Sequence, residues 1–235
     1  MPRAVGSKRR AGMGFHGLIP RIVKFLLIAL FTAAALALAG CSATVQTSSA
    51  PEHDSRGLKA EDLRAGGIAF LTPSSITGHE EDKQALAVAF ATALRAQRSD
   101  VRVVPLSDTI GAVNRAGLGS AYRSMYADYR ESALLDASTI QKVAKATGVR
   151  YLAQLKLASV GQGARGRFGF FGLSILNTQY AQVRVFLQLW DGNDGSVVWE
   201  GLNEVSMAME TAWEEPMTFQ SVAARAAQDL VKRLP

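Results

Sequence analysis

Residues 183–199 read VRVFLQLWDGNDGSVVW, and this stretch decides the fold because it encodes a β-hairpin. Its first half alternates apolar with more polar residues, which is the period of a strand that buries one face. The apolar positions are Val183, Val185, Leu187 and Leu189. Asp191–Gly195 (DGNDG) has the composition of a tight turn, and Val197–Met207 then returns as the partner strand.

Upstream of this hairpin, the sequence predicts a buried strand and several helices. Ile68–Leu71 is a continuous apolar run behind two glycines, which is typical of a central strand buried on both faces. Thr77–Glu80 has the spacing of a helix capping box, and Asp136 and Gly148 suit the two ends of a later helix. A last helix carries a buried stripe formed by Phe219, Val222, Ala223, Ala226 and Leu230. Residues 66–235 therefore predict an α+β domain, a mixed β-sheet with helices packed on it.

The amino-terminal part of the chain has the organisation of a secretory signal. Arg21 and Lys24 precede the apolar run Phe25–Ala39, which is followed by small residues and by Cys41, the one cysteine of the sequence. The run has about 15 residues, whereas a helix needs roughly 20 to cross a bilayer. We interpret it as a cleaved signal, and an uncleaved inner-membrane anchor is the alternative.

The four residues Leu38-Ala39-Gly40-Cys41 resemble the lipobox of bacterial lipoproteins. The resemblance implies that signal peptidase recognises Leu38, Ala39 and Gly40, and that Cys41 becomes the first mature residue. It also implies that Cys41 carries a diacylglycerol and an N-acyl chain such as palmitate. Position 42 is serine and not the aspartate that favours inner-membrane retention, which implies the outer membrane and its periplasmic face.

Three regions follow from this reading. Residues 1–40 are a lipoprotein signal peptide, residues 41–65 are the lipidated cysteine with a flexible tether, and residues 66–235 are the periplasmic α+β domain. The tether is predicted because Ser42–Arg56 is rich in small polar residues and lacks a hydrophobic period.

Charge and cysteine content exclude several classes of function. The chain has 26 basic and 20 acidic residues, but six of the basic residues and none of the acidic ones lie in the leader. The remaining 20 of each sign give a neutral mature protein, which argues against nucleic-acid binding. A lone cysteine excludes an internal disulfide and a multi-cysteine metal site.

A search for catalytic residues finds no persuasive motif. His79-Glu80-Glu81-Asp82 lacks the HExxH spacing of a zinc site, and acidic residues in a first helical turn are explained by the helix dipole. Gly161–Gly166 matches GxGxxG by letter, but no helix start follows to receive a pyrophosphate. We therefore predict a flexible inter-strand loop at Gly161–Gly166, no catalytic residue, no metal, no cofactor other than the lipid, and no enzyme activity.

The most unusual feature of the domain is a run of apolar residues among glycines. Its members are Phe168, Phe170, Phe171, Leu173, Ile175 and Leu176. In one interpretation the run folds back and completes the core. In the other it is an exposed patch that contacts a partner, a sister subunit or the membrane. Tyr126, on a predicted helix with Tyr122 and Tyr129, is the second candidate for partner contact.

The domain resembles a superfamily of envelope lipoprotein domains that includes CsgG, LpoB, PelC and the amino-terminal domain of TolB. Three segments carry the resemblance: Gly67–Leu71, Ile140–Leu155 and Val183–Trp199. It implies an accessory protein of an envelope assembly, secretion or polysaccharide-export system, which acts through contacts with envelope proteins and as a homo-oligomer. The alternative is a periplasmic ligand- or glycan-binding module, with Trp190, Trp199 and Trp213 as stacking surfaces.

Overall fold

The computed structural model describes residues 44–170, 173–211 and 218–235, and the side chains of 45–163, 178–209 and 218–235. The leader, Cys41, Phe171 and Trp213 lie outside these ranges. The described residues form seven strands and six helices. The strands are β1 (Thr44–Ser55), β2 (Ile68–Phe70), β3 (Ser74–Ser75), β4 (Val103–Val104), β5 (Tyr151–Phe170), β6 (Leu173–Asp191) and β7 (Val197–Thr211). The helices are α1 (Ala60–Gly66), α2 (Glu80–Gln97), α3 (Leu106–Arg115), α4 (Gly119–Ser132), α5 (Ala137–Thr147) and α6 (Phe219–Val231).

The strands form one mixed sheet in the order β1-β7-β6-β5-β2-β4, with β3 paired to β5. The β4–β2, β2–β5 and β3–β5 pairs are parallel, whereas the β5–β6, β6–β7 and β7–β1 pairs are antiparallel. Helices pack on this sheet, and the predicted α+β fold is confirmed. The predicted hairpin is confirmed as well, because β6 and β7 pair from Trp190 opposite Val197 to Asn177 opposite Thr211.

Two hydrophobic cores lie on opposite faces of the sheet. Helices α1, α2 and α6 pack over one face, where Phe90 of α2 and Val222 of α6 are fully buried. Helices α3, α4 and α5 pack over the other face, where Ile140 and Val143 of α5 are fully buried. Strand β2 contributes to both cores and is buried along its whole length, as its continuous apolar run predicts.

Strand β5 is much longer than the sequence suggests. Gly161–Gly166, which we predicted to be a flexible loop, lies inside β5 and pairs with β6 along its length. The glycine at 163 has a packing reason, because a Cβ atom there would lie 2.4 Å from the hydroxyl oxygen of Tyr180 on β6. The phenol of Tyr180 therefore covers Gly163, and glycine accommodates a cross-strand aromatic ring.

Strand β5 also contains a β-bulge between Leu157 and Ser159. The bulge inserts one residue and reverses the alternation of the strand. Before it, Leu155 and Leu157 belong to the core under α2 and α6, and after it Val160 packs against the same core. The alternation of core-facing residues along β5 therefore shifts by one position after Leu157.

The segment predicted to be a flexible tether contains an ordered strand. Thr44–Ser55 forms β1 and pairs antiparallel with β7, from Thr44 opposite Glu210 to Ser55 opposite Trp199. The compact unit that includes β1 spans Thr44–Pro235. Most β1 side chains are exposed, so hydrogen bonding to β7 holds the strand without the apolar alternation by which strands are recognised.

Candidate contact surface

Part of the sheet is left uncovered by the helices. Helix α6 packs on one face of β6, β7 and β1. On the opposite face, Trp190 of β6 is buried in the core under α3, α4 and α5, but the outward side chains from Tyr180 to Gln188 of β6, and the β7 and β1 side chains paired with them, are exposed or half-exposed. We name this surface the open sheet face. It comprises Lys156, Tyr180, Gln182, Arg184, Phe186, Gln188, Glu200, Leu202, Glu204, Glu52 and Asp54.

The strand register places the members of the open sheet face in rows across four strands. Lys156 lies opposite Phe186, Phe186 opposite Leu202, and Leu202 opposite Glu52. The aromatic side chains are prominent, since Phe186 is 37% exposed and Tyr180 is 42% exposed. An apolar centre with a charged margin therefore faces outward.

Hydrogen bonds hold the polar side chains of the open sheet face in place. Glu204 accepts from Arg184 Nε at 2.9 Å and from Gln182 Nε2 at 2.7 Å. Gln188 donates to Glu200 at 3.3 Å, and its Oε1 accepts from the Tyr129 hydroxyl at 3.2 Å. Exposed ion pairs contribute only about 0–1 kcal/mol to stability. These hydrogen bonds and ion pairs nevertheless hold the side chains of the open sheet face in fixed positions before a partner binds.

This composition is typical of protein contact surfaces. Aromatic residues and arginine are enriched where proteins bind one another, and polar groups form the rim. Three such residues of the open sheet face lie on β6, namely Tyr180, Arg184 and Phe186. The sequence carries a signal for this face, because the outward positions of β6 include two aromatic residues, Tyr180 and Phe186, where a solvated strand would be polar.

The apolar run singled out from the sequence lies at the end of the β5–β6 hairpin. Phe168 and Phe170 are among the last residues of β5, and Leu173 is the first residue of β6. The register places Phe170 opposite Leu173. Phe171 lies outside the described residues.

Tyr126, the second residue predicted to contact a partner, is half-buried on α4. Its hydroxyl donates to the carbonyl oxygen of Pro73 at 2.7 Å, and Lys83 Nζ lies 5.8 Å from its ring centroid. Tyr122 and Tyr129 on the same helix are buried. Burial raises the pKa of Tyr126 and Tyr129, the latter to about 12, so both phenols are neutral donors at physiological pH.

A cleft of about 480 Å³ lies beside Tyr126, at the carboxyl end of β2. It is lined by Thr72, Tyr122, Tyr126, Arg123, Asn114, Ser120, Ile110, Val113 and Gly119. Two of these lining residues are joined directly, because the hydroxyl of Tyr122 accepts a hydrogen bond from Thr72 N at 2.8 Å. This hydrogen bond ties α4 to the end of β2, so the cleft walls are fixed by the fold.

The tryptophans proposed as stacking surfaces are not accessible where the structure describes them. Trp199 is 0% and Trp190 is 5% exposed, and they belong to opposite cores. Trp213 lies outside the described residues. The glycan-binding alternative therefore loses two of the three residues on which it depended.

Candidate ligands for metals are dispersed in the described ranges. No three histidine, cysteine or acidic side chains converge there in a way that would hold a metal ion. His79 immediately precedes α2, and its Nδ1 lies 3.8 Å from Asp82 Oδ2. His53 stacks on Trp199 at a centroid distance of 6.2 Å. Among the helices of residues 44–170, 173–211 and 218–235, none is both long and apolar enough to span a membrane.

No protein-family model matches the sequence, and no curated protein sequence is significantly similar to it. Among solved structures, the chain is similar to the PelC dodecamer from Paraburkholderia phytofirmans, with 16% identity, a TM-score of 0.43, and coverage of 82% of this chain and 97% of that chain. It is also similar to lipoprotein GNA1162 from Neisseria meningitidis, with 10% identity, a TM-score of 0.35, and coverage of 72% and 96%. For the LpoB C-terminal domain from Salmonella enterica the identity is 14%, the TM-score 0.34, and the coverage 64% and 86%. These values describe a distant likeness, and the functional proposal below depends on this chain's own residues.

Proposed function

We propose that the chain is a non-enzymatic lipoprotein of the bacterial envelope, held by acylated Cys41 at the periplasmic face of the outer membrane. Its domain serves an assembly, secretion or polysaccharide-export system by contacting other envelope proteins and further copies of itself. The open sheet face is the observation that carries this proposal. It presents ordered charged side chains around exposed aromatic residues, which suits a protein partner better than a small ligand.

The leader supports the location, and the chemistry of Cys41 supports the anchor. Basic residues come first in the leader, an apolar run follows, and small residues then precede the single cysteine. A cysteine that is processed and acylated requires this arrangement. Several acyl chains together hold a protein stably, because each buried CH₂ contributes about 0.8 kcal/mol. A neutral mature domain fixed in this way encounters partners in the envelope.

Photo-crosslinking tests the contact. A photoreactive amino acid replaces Phe186 in the full chain, expressed in the native bacterium. We expect irradiation to produce specific adducts with an envelope protein, with a second copy, or with both. The matched control carries the same amino acid at Val88, which is 64% exposed on α2 and remote from the open sheet face.

Two results would contradict the proposal. One is an adduct pattern at position 186 that is no stronger than the pattern at position 88. The other is an intact mass of the purified protein that retains residues 1–40 and an unmodified Cys41, because the protein would then lack the proposed anchor.

A further inference from the structure

The cleft beside Tyr126 lies where the connections of two parallel strands diverge. Strands β2 and β4 are parallel neighbours. The chain that leaves β2 continues to α2 on one face of the sheet, whereas the chain that leaves β4 continues to α3 on the other face. Ligands of open α/β sheets bind outside the carboxyl ends of strands at such a point. The cleft occupies this place, because it is lined by Thr72, two residues after β2, and by Ile110 and Val113 of α3.

The floor of the cleft is apolar, and hydrogen bonds fix its shape. Val113 and Tyr122 are buried, and Ile110 is half-buried. The phenol oxygen of Tyr122 accepts from the backbone N–H of Thr72 at 2.8 Å and lies 3.0 Å from Thr72 Oγ1. The hydroxyl of Tyr126 donates to a backbone carbonyl oxygen at 2.7 Å. Because both phenol groups already have protein partners, the two tyrosines offer a ligand their aromatic rings.

The rim of the cleft carries one unpaired positive charge. Asn114, Ser120 and Arg123 are exposed and line the cleft, and Arg123 is the one charged residue of the lining. Its Nε donates to a carbonyl oxygen of its own helix at 3.4 Å. In residues 45–163, 178–209 and 218–235, no ion pair includes Arg123. Its two terminal nitrogens can therefore bind a carboxylate with two parallel hydrogen bonds.

The size and charge of the cleft select the chemistry of its ligand. A volume of about 480 Å³ is in the range of small-molecule sites, in which apolar walls enclose a few polar groups. Lys83 Nζ lies 5.8 Å from the centroid of the Tyr126 ring, but Lys83 is paired with Glu80 at 3.0 Å. A single net positive charge beside aromatic and aliphatic walls matches one carboxylate on an apolar ring, whereas a phosphate would call for more cations.

We propose that this cleft binds a small aromatic monocarboxylate. The ring packs on Ile110, Tyr122 and Tyr126, and the guanidinium of Arg123 binds the carboxylate. None of the lining residues belongs to the open sheet face. The inference is therefore independent of the proposed function, and it gives the domain a small-molecule ligand in addition to protein partners.

Calorimetric titration with naphthoate tests the site. The full chain is purified in lipid nanodiscs, and the heat that naphthoate gives with empty nanodiscs is subtracted. We expect saturable binding of one naphthoate per chain. Naphthalenemethanol, which has the same ring system without the carboxylate, should bind about tenfold more weakly, since a hydrogen bond between charged groups is lost.

Variants of the rim assign the binding to this cleft. Arg123→Gln should weaken naphthoate about tenfold and leave naphthalenemethanol unchanged, and Arg123→Lys should recover part of the loss. Ser120→Phe places a ring in the cleft and should prevent the binding of both compounds. Arg130→Gln is the matched control, because Arg130 is exposed two turns further along α4 and does not line this cleft.

Three results would overturn the inference. The first is the absence of saturable binding of naphthoate to the wild-type chain. The second is equal affinity of naphthoate for the wild type and for Arg123→Gln, or equal affinity of the wild type for the two compounds. The third is undiminished binding by Ser120→Phe, which would put the ligand elsewhere. The melting temperature of each variant, measured without ligand, verifies that its fold is intact.

Discussion

Asp136 shows how a single side chain begins a helix in this protein. Its Oδ2 accepts hydrogen bonds from Thr139 N at 2.8 Å and from Thr139 Oγ1 at 2.6 Å, at the start of α5. The hydrogen bonds from Thr139 hold the pKa of Asp136 below its ordinary value of 3.8. The ionised form is therefore the one that stabilises the fold.

We expect Asp136→Ala to lower the free energy of unfolding by about 1 kcal/mol, the usual value for loss of an N-cap. Asp136→Asn keeps an acceptor oxygen and should cost less at neutral pH. Because the folded pKa is depressed, the stabilisation by ionised Asp136 is present above pH 3.8 and is lost as the pH falls through the folded value. Urea denaturation of the three proteins above and below pH 3.8 measures this. An Asn variant that loses stability in acid as steeply as the wild type would contradict it.

The structural roles of some residues can be predicted from local chemistry, whereas the roles of others cannot. Helix α5 begins after Asp136 and ends before Gly148, which has φ of +68°, as the sequence predicts. Both ends are predictable because each capping interaction involves only residues within one helical turn. The capping box predicted at Thr77–Glu80 is absent. Helix α2 begins at Glu80 after His79, since Gly78 takes φ of +72° and Thr77 Oγ1 donates to Asp82 at 2.6 Å.

Among the elements, the β6–β7 turn shows close packing that a turn motif does not reveal. A Cβ atom on Gly192 would lie 2.4 Å from Ala144 Cβ on α5 and 2.6 Å from the carbonyl oxygen of Arg150. Arg150 in turn donates from Nε to Asp191 Oδ2 at 3.0 Å. The turn therefore packs closely against both α5 and the start of β5.

We expect Gly192→Ala to destabilise the protein by about 1–3 kcal/mol, because rigid neighbours cannot make room for the added methyl group. Gly161→Ala is the matched control, since its Cβ would meet only Gln182 Cβ at 3.9 Å. Its effect should stay within about 0.5 kcal/mol. Thermal unfolding of both variants measures the difference, and equal melting temperatures would refute the packing argument.

The elements also differ in how far the sequence predicts them. The β6–β7 hairpin follows from its alternation and from DGNDG, because both signals are local. The sequence does not predict β1, nor the part of β5 that follows the β-bulge. Their residues are glycine-rich or Ser/Thr-rich, and much of their pairing lies beyond the helices, so no apolar alternation marks it. The open sheet face was missed for a related reason, since it is defined by which strands the helices leave bare.

At the scale of the whole molecule, each end of the sheet carries paired charges of both signs. At the β1–β7 end, Arg56 Nη2 lies 3.5 Å from Glu200 Oε1. At the β4 end, Asp100 lies 3.3 Å from Arg64 Nε and 3.0 Å from Arg98 Nε. Two copies that meet through the open sheet face therefore bring exposed charges of both signs together around an apolar centre, and such contacts depend on ionic strength.

We expect the detergent-solubilised protein to be an oligomer whose mass falls as salt is raised, because screening weakens contacts between exposed charges. Light scattering at low and high ionic strength measures the mass. Phe186→Asp should give the smaller species even at low salt, whereas Val88→Asp on exposed α2 should not. A wild-type mass that stays monomeric at low salt would rule out self-association.

If the chain is exported as proposed above, the pairing of β1 with β7 also sets an order of folding events. Ser49 and Asn203, which share a hydrogen bond of 3.1 Å across these strands, are 154 residues apart in the chain. A secreted chain crosses the membrane from its amino terminus, so residues 44–55 emerge long before β7 can pair with them. Contacts between such distant residues form slowly. Residues 44–55 therefore have no β7 partner when they emerge, and the proposed acylation of Cys41 would precede completion of the sheet.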